Sequence, residues 1–161
     1  MTNQLRAGAS GRVAAVALAA IVALAPACSG AATDAASPAE PWGTNSVMPA
    51  DLVKELSGAD KPVVVCTAPA FLYRVAHIPG AVLHGPASDP NGLASLTAWA
   101  QALPRSTSLV IYCGCCPMKD CPNLRPAYAA LKGLGFTRVR VLILADSFRA
   151  DWLERGYPIE R

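Results

Sequence analysis

Three short apolar runs constrain this chain more than any other feature: "PVVVC" (residues 62–66), "SLVIYC" (108–113) and "RVRVLIL" (138–144). The first two are unbroken rather than alternating, the pattern of strands covered on both faces. Helical patterns separate the runs. Pro49 suits the first turn of a helix that places Leu52, Val53 and Leu56 on one face and stops at Gly58. A short helix is expected over residues 70–75, and a Pro-Gly turn in "HIPGAVLH" leads to a short strand over 81–84. Leu93, Leu96, Trp99, Ala100 and Leu103 recur at helical spacing over 92–103. Further helices are expected over 124–134, ending at Gly135, and over 147–155, closing at Gly156, and residues 46–48 suit an edge strand. Strands alternating with helices predict an α/β fold, a parallel sheet with helices on both faces. Ligands of such sheets bind at the carboxyl ends of strands, and Cys113 stands at that end of "LVIY".

The chain has 161 residues, 53% of them hydrophobic, enough for one packed core and an appendage. The net charge of +3 comes without a basic block, so nothing points to nucleic acid. The appendage is N-terminal. Arg6 and Arg12 precede the apolar stretch 13–27, which is short for a membrane span, and Ala25 and Ala27 form a small-x-small cleavage site before Cys28. Residues 1–27 therefore read as a signal peptide. Cys28 resembles the acylated cysteine of the bacterial lipoprotein lipobox, which implies a lipid anchor; soluble export and a retained anchor are the alternatives. Each puts the domain outside the cytosol, in the cell envelope or periplasm. Residues 28–45, small, polar and punctuated by proline, read as a flexible tether ahead of a domain at 46–161.

Four of the six cysteines, Cys113, Cys115, Cys116 and Cys121, lie in "YCGCCPMKDC". Three readings stay open on the residues alone. In the first, the loop between strand and helix turns its N–H groups and the helix end toward Cys113, lowering its pKa and making it a nucleophile, with Lys119 and Arg125 adding positive charge. In the second, Cys113, Cys115, Cys116 and Cys121 supply four soft ligands for Zn or Cu(I). In the third, Cys121 pairs with Cys115 or Cys116 and staples the loop, as export permits.

"AHIPGAV" at 76–82, "LVIYC" ending at Cys113, "ALKGLGF" at 130–136 and "DWLERGYPIE" at 151–160 together resemble the rhodanese (sulfurtransferase) family, in order and spacing, over about residues 47–160. The resemblance implies a five-stranded parallel sheet flanked by helices on both faces. It places the catalytic cysteine at Cys113, whose thiolate would take the outer sulfur of thiosulfate or another sulfane donor and pass it, as a persulfide, to a small or protein thiol acceptor. Gly114, Cys115, Cys116, Lys119 and Arg125 are then the expected substrate-binding positions, the partner a small sulfur-containing anion, and no cofactor is implied. Cys115, Cys116 and Cys121 become candidates for resolving the persulfide as a disulfide with release of sulfide. The chain departs from the family in three places. Cys66 stands where an acidic residue is usual, the loop after Cys113 is longer and richer in cysteine, and "LADSF" at 144–148 replaces a Gly-Gly segment. The cysteine-rich loop resembles that of an exported bacterial subgroup. The alternative is a catalytically silent scaffold that binds Cu or Zn or serves redox or interaction roles through its loop.

Of the remaining residues, His77 is expected to hold a turn, Cys66 to pack as a buried hydrophobe, and Trp99 and Trp152 to face the core. His84 is placed near the mouth of the site, Asp120 is expected to cap the following helix, and Trp42 falls in the tether.

Overall fold

The structure, a computed structural model, describes residues 40–161. The signal-peptide reading of 1–27, Cys28 and most of the tether lie outside the described residues. Five strands, β1 (Ser46–Val47), β2 (Val63–Cys66), β3 (Val82–Leu83), β4 (Leu109–Tyr112) and β5 (Val139–Leu142), form one parallel sheet in the order β1-β5-β4-β2-β3. The helices are α1 (Pro49–Leu56), α2 (Ala70–Val75), α3 (Pro90–Gln101) and α4 (Leu124–Gly133). The unbroken apolar runs become the middle of the sheet: all four residues of β4 are buried, with β2 and β5 on either side.

This strand order positions the site. The chain passes outward from β2 to β3, then crosses back to β4 on the other side of β2, so the connections leaving β2 and β4 diverge and open a crevice at their carboxyl ends. Cys66 ends β2 and Cys113 follows β4. Thr67, fully buried, donates its hydroxyl to the Tyr112 carbonyl at 3.1 Å and ties the two strand ends together.

Two expectations need correction. Trp42 does not belong to a tether: it is 3% exposed, packs edge-on against the buried Tyr128 of α4 with ring centroids 6.0 Å apart, and so ties Glu40–Asn45 to the core. An indole is large enough to bury a proline-punctuated segment that composition alone reads as unstructured. The last helix is a π-helical turn, Arg149–Leu153, with Glu154 N–H donating to the Arg149 carbonyl at 2.9 Å. Trp152 at its centre is fully buried, as expected, and donates Nε1–H to the Pro158 carbonyl at 2.8 Å. Among the described residues, no helix is long and apolar enough to cross a membrane.

Candidate active site

Cys113 leaves β4 with its side chain 3% exposed. Gly114 follows at φ +71°, in the left-handed region, with its α-carbon against Phe148: a Cβ there would meet the Phe148 Cβ at 2.6 Å. Phe148 N–H donates to the Gly114 carbonyl at 3.1 Å and holds this approach. Cys113 and Gly114 line a cleft of about 510 Å³ together with Cys66, Leu72, Tyr73, Val75, Phe148 and Leu153. Among the described residues Arg149 is the only cation on this lining, and its guanidinium is engaged by Glu154, also on the lining, at 2.9 Å.

On the far side of Cys113 the loop gathers the other thiols. Cys115 Sγ lies 3.1 Å from Cys113 Sγ and 3.2 Å from Cys116 Sγ. The sulfurs of Cys113, Cys115 and Cys121 all lie within 4.8 Å of one another. Asn123, 2% exposed, donates its side-chain N–H to Cys113 Sγ at 3.3 Å and to Cys115 Sγ at 3.7 Å, while its oxygen accepts from Ser88 N–H at 2.9 Å. All five described cysteines, including Cys66, are free thiols, so the loop is not stapled.

The expected ring of amides around Cys113 does not form. Met118 N–H goes to the Ala145 carbonyl, Asp120 N–H to Pro117 and Cys121 N–H to Met118, while Pro117 and Pro122 have no N–H to offer. Only the Cys115 amide reaches Cys113. The Cys113 thiol is accordingly pushed up, not down, because its hydrogen is held by the Cys121 sulfur and its side chain is buried. The amides of Asn123 and Leu124, at the start of α4, point at Cys121 instead. With the Cys113 hydrogen as the larger influence and these amides adding to it, Cys121 is pulled down to about 6. Cys116 is pushed up to about 12, first by burial and then by hydrogen bonding to Cys115. The two thiols are therefore shifted in opposite directions, Cys113 up and Cys121 down, which makes Cys121 the more acidic of the pair.

The other expected site residues divide. Gly114 lines the cleft; Cys115 adjoins Cys113 and Cys116 adjoins Cys115, and neither is on the lining. Lys119 and Arg125 do not reach the cleft. Lys119, its side chain 77% exposed, pairs with Asp120 at 3.6 Å, and Arg125 is bound by Glu40 at 3.0 Å. Asp120 sits in a 3₁₀ turn, Met118–Asp120, and does not cap α4. His84 stacks on Trp99 at 4.6 Å, bonds Ser95 Oγ at 3.0 Å and is absent from the cleft lining. His77 holds its turn as expected, with Nδ1 at 3.0 Å from the Tyr73 carbonyl. Cys66 is buried, and burial raises its thiol pKa.

Sequence reasoning missed Asn123 and the special position of Cys121. A signal was present: Cys121 precedes the donors Asn123 and Leu124 by two and three residues, the spacing at which serine and aspartate side chains cap helices.

No protein-family model and no curated protein matches the chain. Solved structures do. The BH2092 protein of Bacillus halodurans superposes with TM-score 0.56 at 25% identity, over 71% of this chain and 75% of that one. The rhodanese-like domain of the Alr3790 protein of Anabaena sp. superposes with TM-score 0.53 at 20% identity, over 72% of this chain and 78% of that one. A thiosulfate sulfurtransferase of Pseudomonas aeruginosa gives TM-score 0.51 at 23% identity over 72% of this chain, the match spanning 19% of that larger protein. These likenesses show the fold alone: the five-stranded parallel sheet of this chain is that of the rhodanese-like domains.

Proposed function

We propose that the domain is a sulfurtransferase that carries sulfane sulfur on Cys113. One observation supports this above the others: Cys113 stands at the carboxyl end of the central strand and lines an open cleft, with the sulfur of Cys121, a candidate proton acceptor, within 4.8 Å of its own. Transfer of that proton to Cys121 leaves a Cys113 thiolate. The thiolate attacks the outer sulfur of the donor; the new S–S bond forms as the donor's own S–S bond breaks, and the electron pair leaves with sulfite when the donor is thiosulfate. The Cys113 persulfide then gives its outer sulfur to an acceptor thiolate, and Cys113 is restored.

The cleft favours a particular donor. Its walls are mostly apolar and its one cationic residue is already paired, so a bare dianion such as thiosulfate gains little there. A donor with an apolar body and a terminal sulfane sulfur suits the walls better. With cyanide or a small thiol as acceptor, an aromatic thiosulfonate is expected to turn over faster than thiosulfate, and Cys113→Ser to abolish both reactions. A Cys113→Ser protein that retained turnover would overturn the proposal. The basic and apolar N-terminal segment and Cys28 support a place for this activity outside the cytosol, on a lipid anchor.

A further inference from the structure

Sulfur transfer needs Cys113 and a proton acceptor; it does not need three thiols converging on one point with a buried amide side chain serving two of them. We propose that Cys113, Cys115 and Cys121 are a three-sulfur site for Cu(I), and that the ion and the sulfane sulfur compete for Cys113. Three sulfurs around one ion at bond lengths of about 2.3 Å form a triangle with edges of about 4 Å. The sulfurs here stand between 3.1 Å and 4.8 Å apart, so small side-chain rotations bring them to that triangle. Among the described residues the donor set is sulfur alone, with no histidine or carboxylate in the group. Soft thiolates in a set of this kind select Cu(I) and Zn over harder ions.

The number of sulfurs separates those two ions. Cys116 is 3.2 Å from Cys115 but falls outside the mutual 4.8 Å group, leaving three ligands where a structural zinc site takes four. Cu(I) is satisfied by three. The surroundings also suit bound thiolates. Asn123 donates to two of the sulfurs, and its buried oxygen is fixed by Ser88 N–H, so the amide cannot turn its acceptor toward them without losing that bond. Hydrogen bonds of this kind orient first-shell ligands and reduce the charge they carry. Binding displaces the remaining thiol protons into solvent, and no electron transfer is involved. Cys113 also lines the cleft, so an ion bound there removes the nucleophile and the loaded protein takes up no sulfur.

The test uses fully reduced protein under anaerobic conditions, titrated with Cu(I) against bicinchoninate. One copper should be retained per chain, with near-ultraviolet absorption from thiolate–copper bonds and a rise in melting temperature. Cys115→Ser and Cys121→Ser should each weaken retention at least about tenfold (about 1.4 kcal/mol), and the melting shift should vanish, while Cys116→Ser should leave both unchanged. Circular dichroism of each variant checks folding. Loss of copper to bicinchoninate by the wild type, or retention unaltered in Cys115→Ser and Cys121→Ser, would overturn the site. One tightly held Zn that depends on Cys116 would overturn the three-sulfur Cu(I) assignment. None of these readouts requires sulfur transfer, so the two proposals fail separately.

Discussion

Asn123 is the residue whose removal should be felt both in the fold and at the sulfurs. It is almost fully buried, and its oxygen accepts from Ser88 N–H at 2.9 Å while its nitrogen donates to Cys113 and Cys115. Asn123→Ala strands the Ser88 amide in a partly buried position, which costs about 1–3 kcal/mol, and removes two weak N–H···S contacts. The total loss should be about 2–3 kcal/mol of unfolding free energy, read as a lower urea midpoint with an unchanged slope. Asn123→Asp separates the two roles. A carboxylate still accepts from Ser88, so the midpoint should stay closer to wild type than that of the alanine variant. It cannot donate to the sulfurs, and its charge faces them, so sulfur loading of Cys113 should fall by about tenfold, the equivalent of one pKa unit of like-charge repulsion. The reasoning is refuted if Asn123→Ala unfolds at the wild-type midpoint, or if the aspartate variant loads sulfur as fast as the parent.

Three further outcomes follow from other parts of the molecule. Trp42→Ala should cost about 3–5 kcal/mol in a urea titration, because the indole is a buried member of the core; a change too small to measure would return residues 40–45 to the tether. Gly114→Ala should cost about 2 kcal/mol or more, since its Cβ would collide with Phe148 and the backbone is left-handed, with sulfur loading lost in whatever protein remains folded. Glu55 is held below the usual carboxyl range by its two hydrogen bonds to Arg140, at 2.7 Å and 2.6 Å. Its folded pKa lies below the unfolded one, so the stabilisation is present above the unfolded value and is lost as pH falls through the folded value. Glu55→Gln should therefore be less stable than wild type by roughly 1 kcal/mol or less at pH 7, with the difference closing below about pH 4.

The framework of the fold was legible because it follows from periodicity. The unbroken runs ending at Cys66 and Tyr112 could only be strands covered on both sides, and Pro49 and Gly135 punctuate helices as single residues can. That logic put Cys113 at the mouth of the sheet. It did not extend to Trp42, whose burial depends on α4 passing beneath it, a contact between residues far apart in sequence. Nor did it extend to the charge in the loop. A helix start after a strand does favour an anion, but which sulfur meets those amides depends on the path between Gly114 and Asn123. There, the two prolines and the 3₁₀ turn direct the helix amides to Cys121 and leave Cys113 with the Cys115 amide alone. Lys119 and Arg125 bring positive charge to the loop in sequence but not in space, because Asp120 and Glu40 engage them, and a pairing such as Arg125 with Glu40, 85 positions apart, leaves no mark in local sequence.

The most direct test of the account is the intact mass of reduced protein after brief exposure to a sulfane donor, followed by peptide mapping. The wild type should gain the mass of a single sulfur atom, located on the peptide that carries Cys113, and Cys113→Ser should gain none. A fully reduced wild-type protein whose mass does not change with either thiosulfate or an aromatic thiosulfonate would contradict the claim that this cysteine is the sulfur carrier.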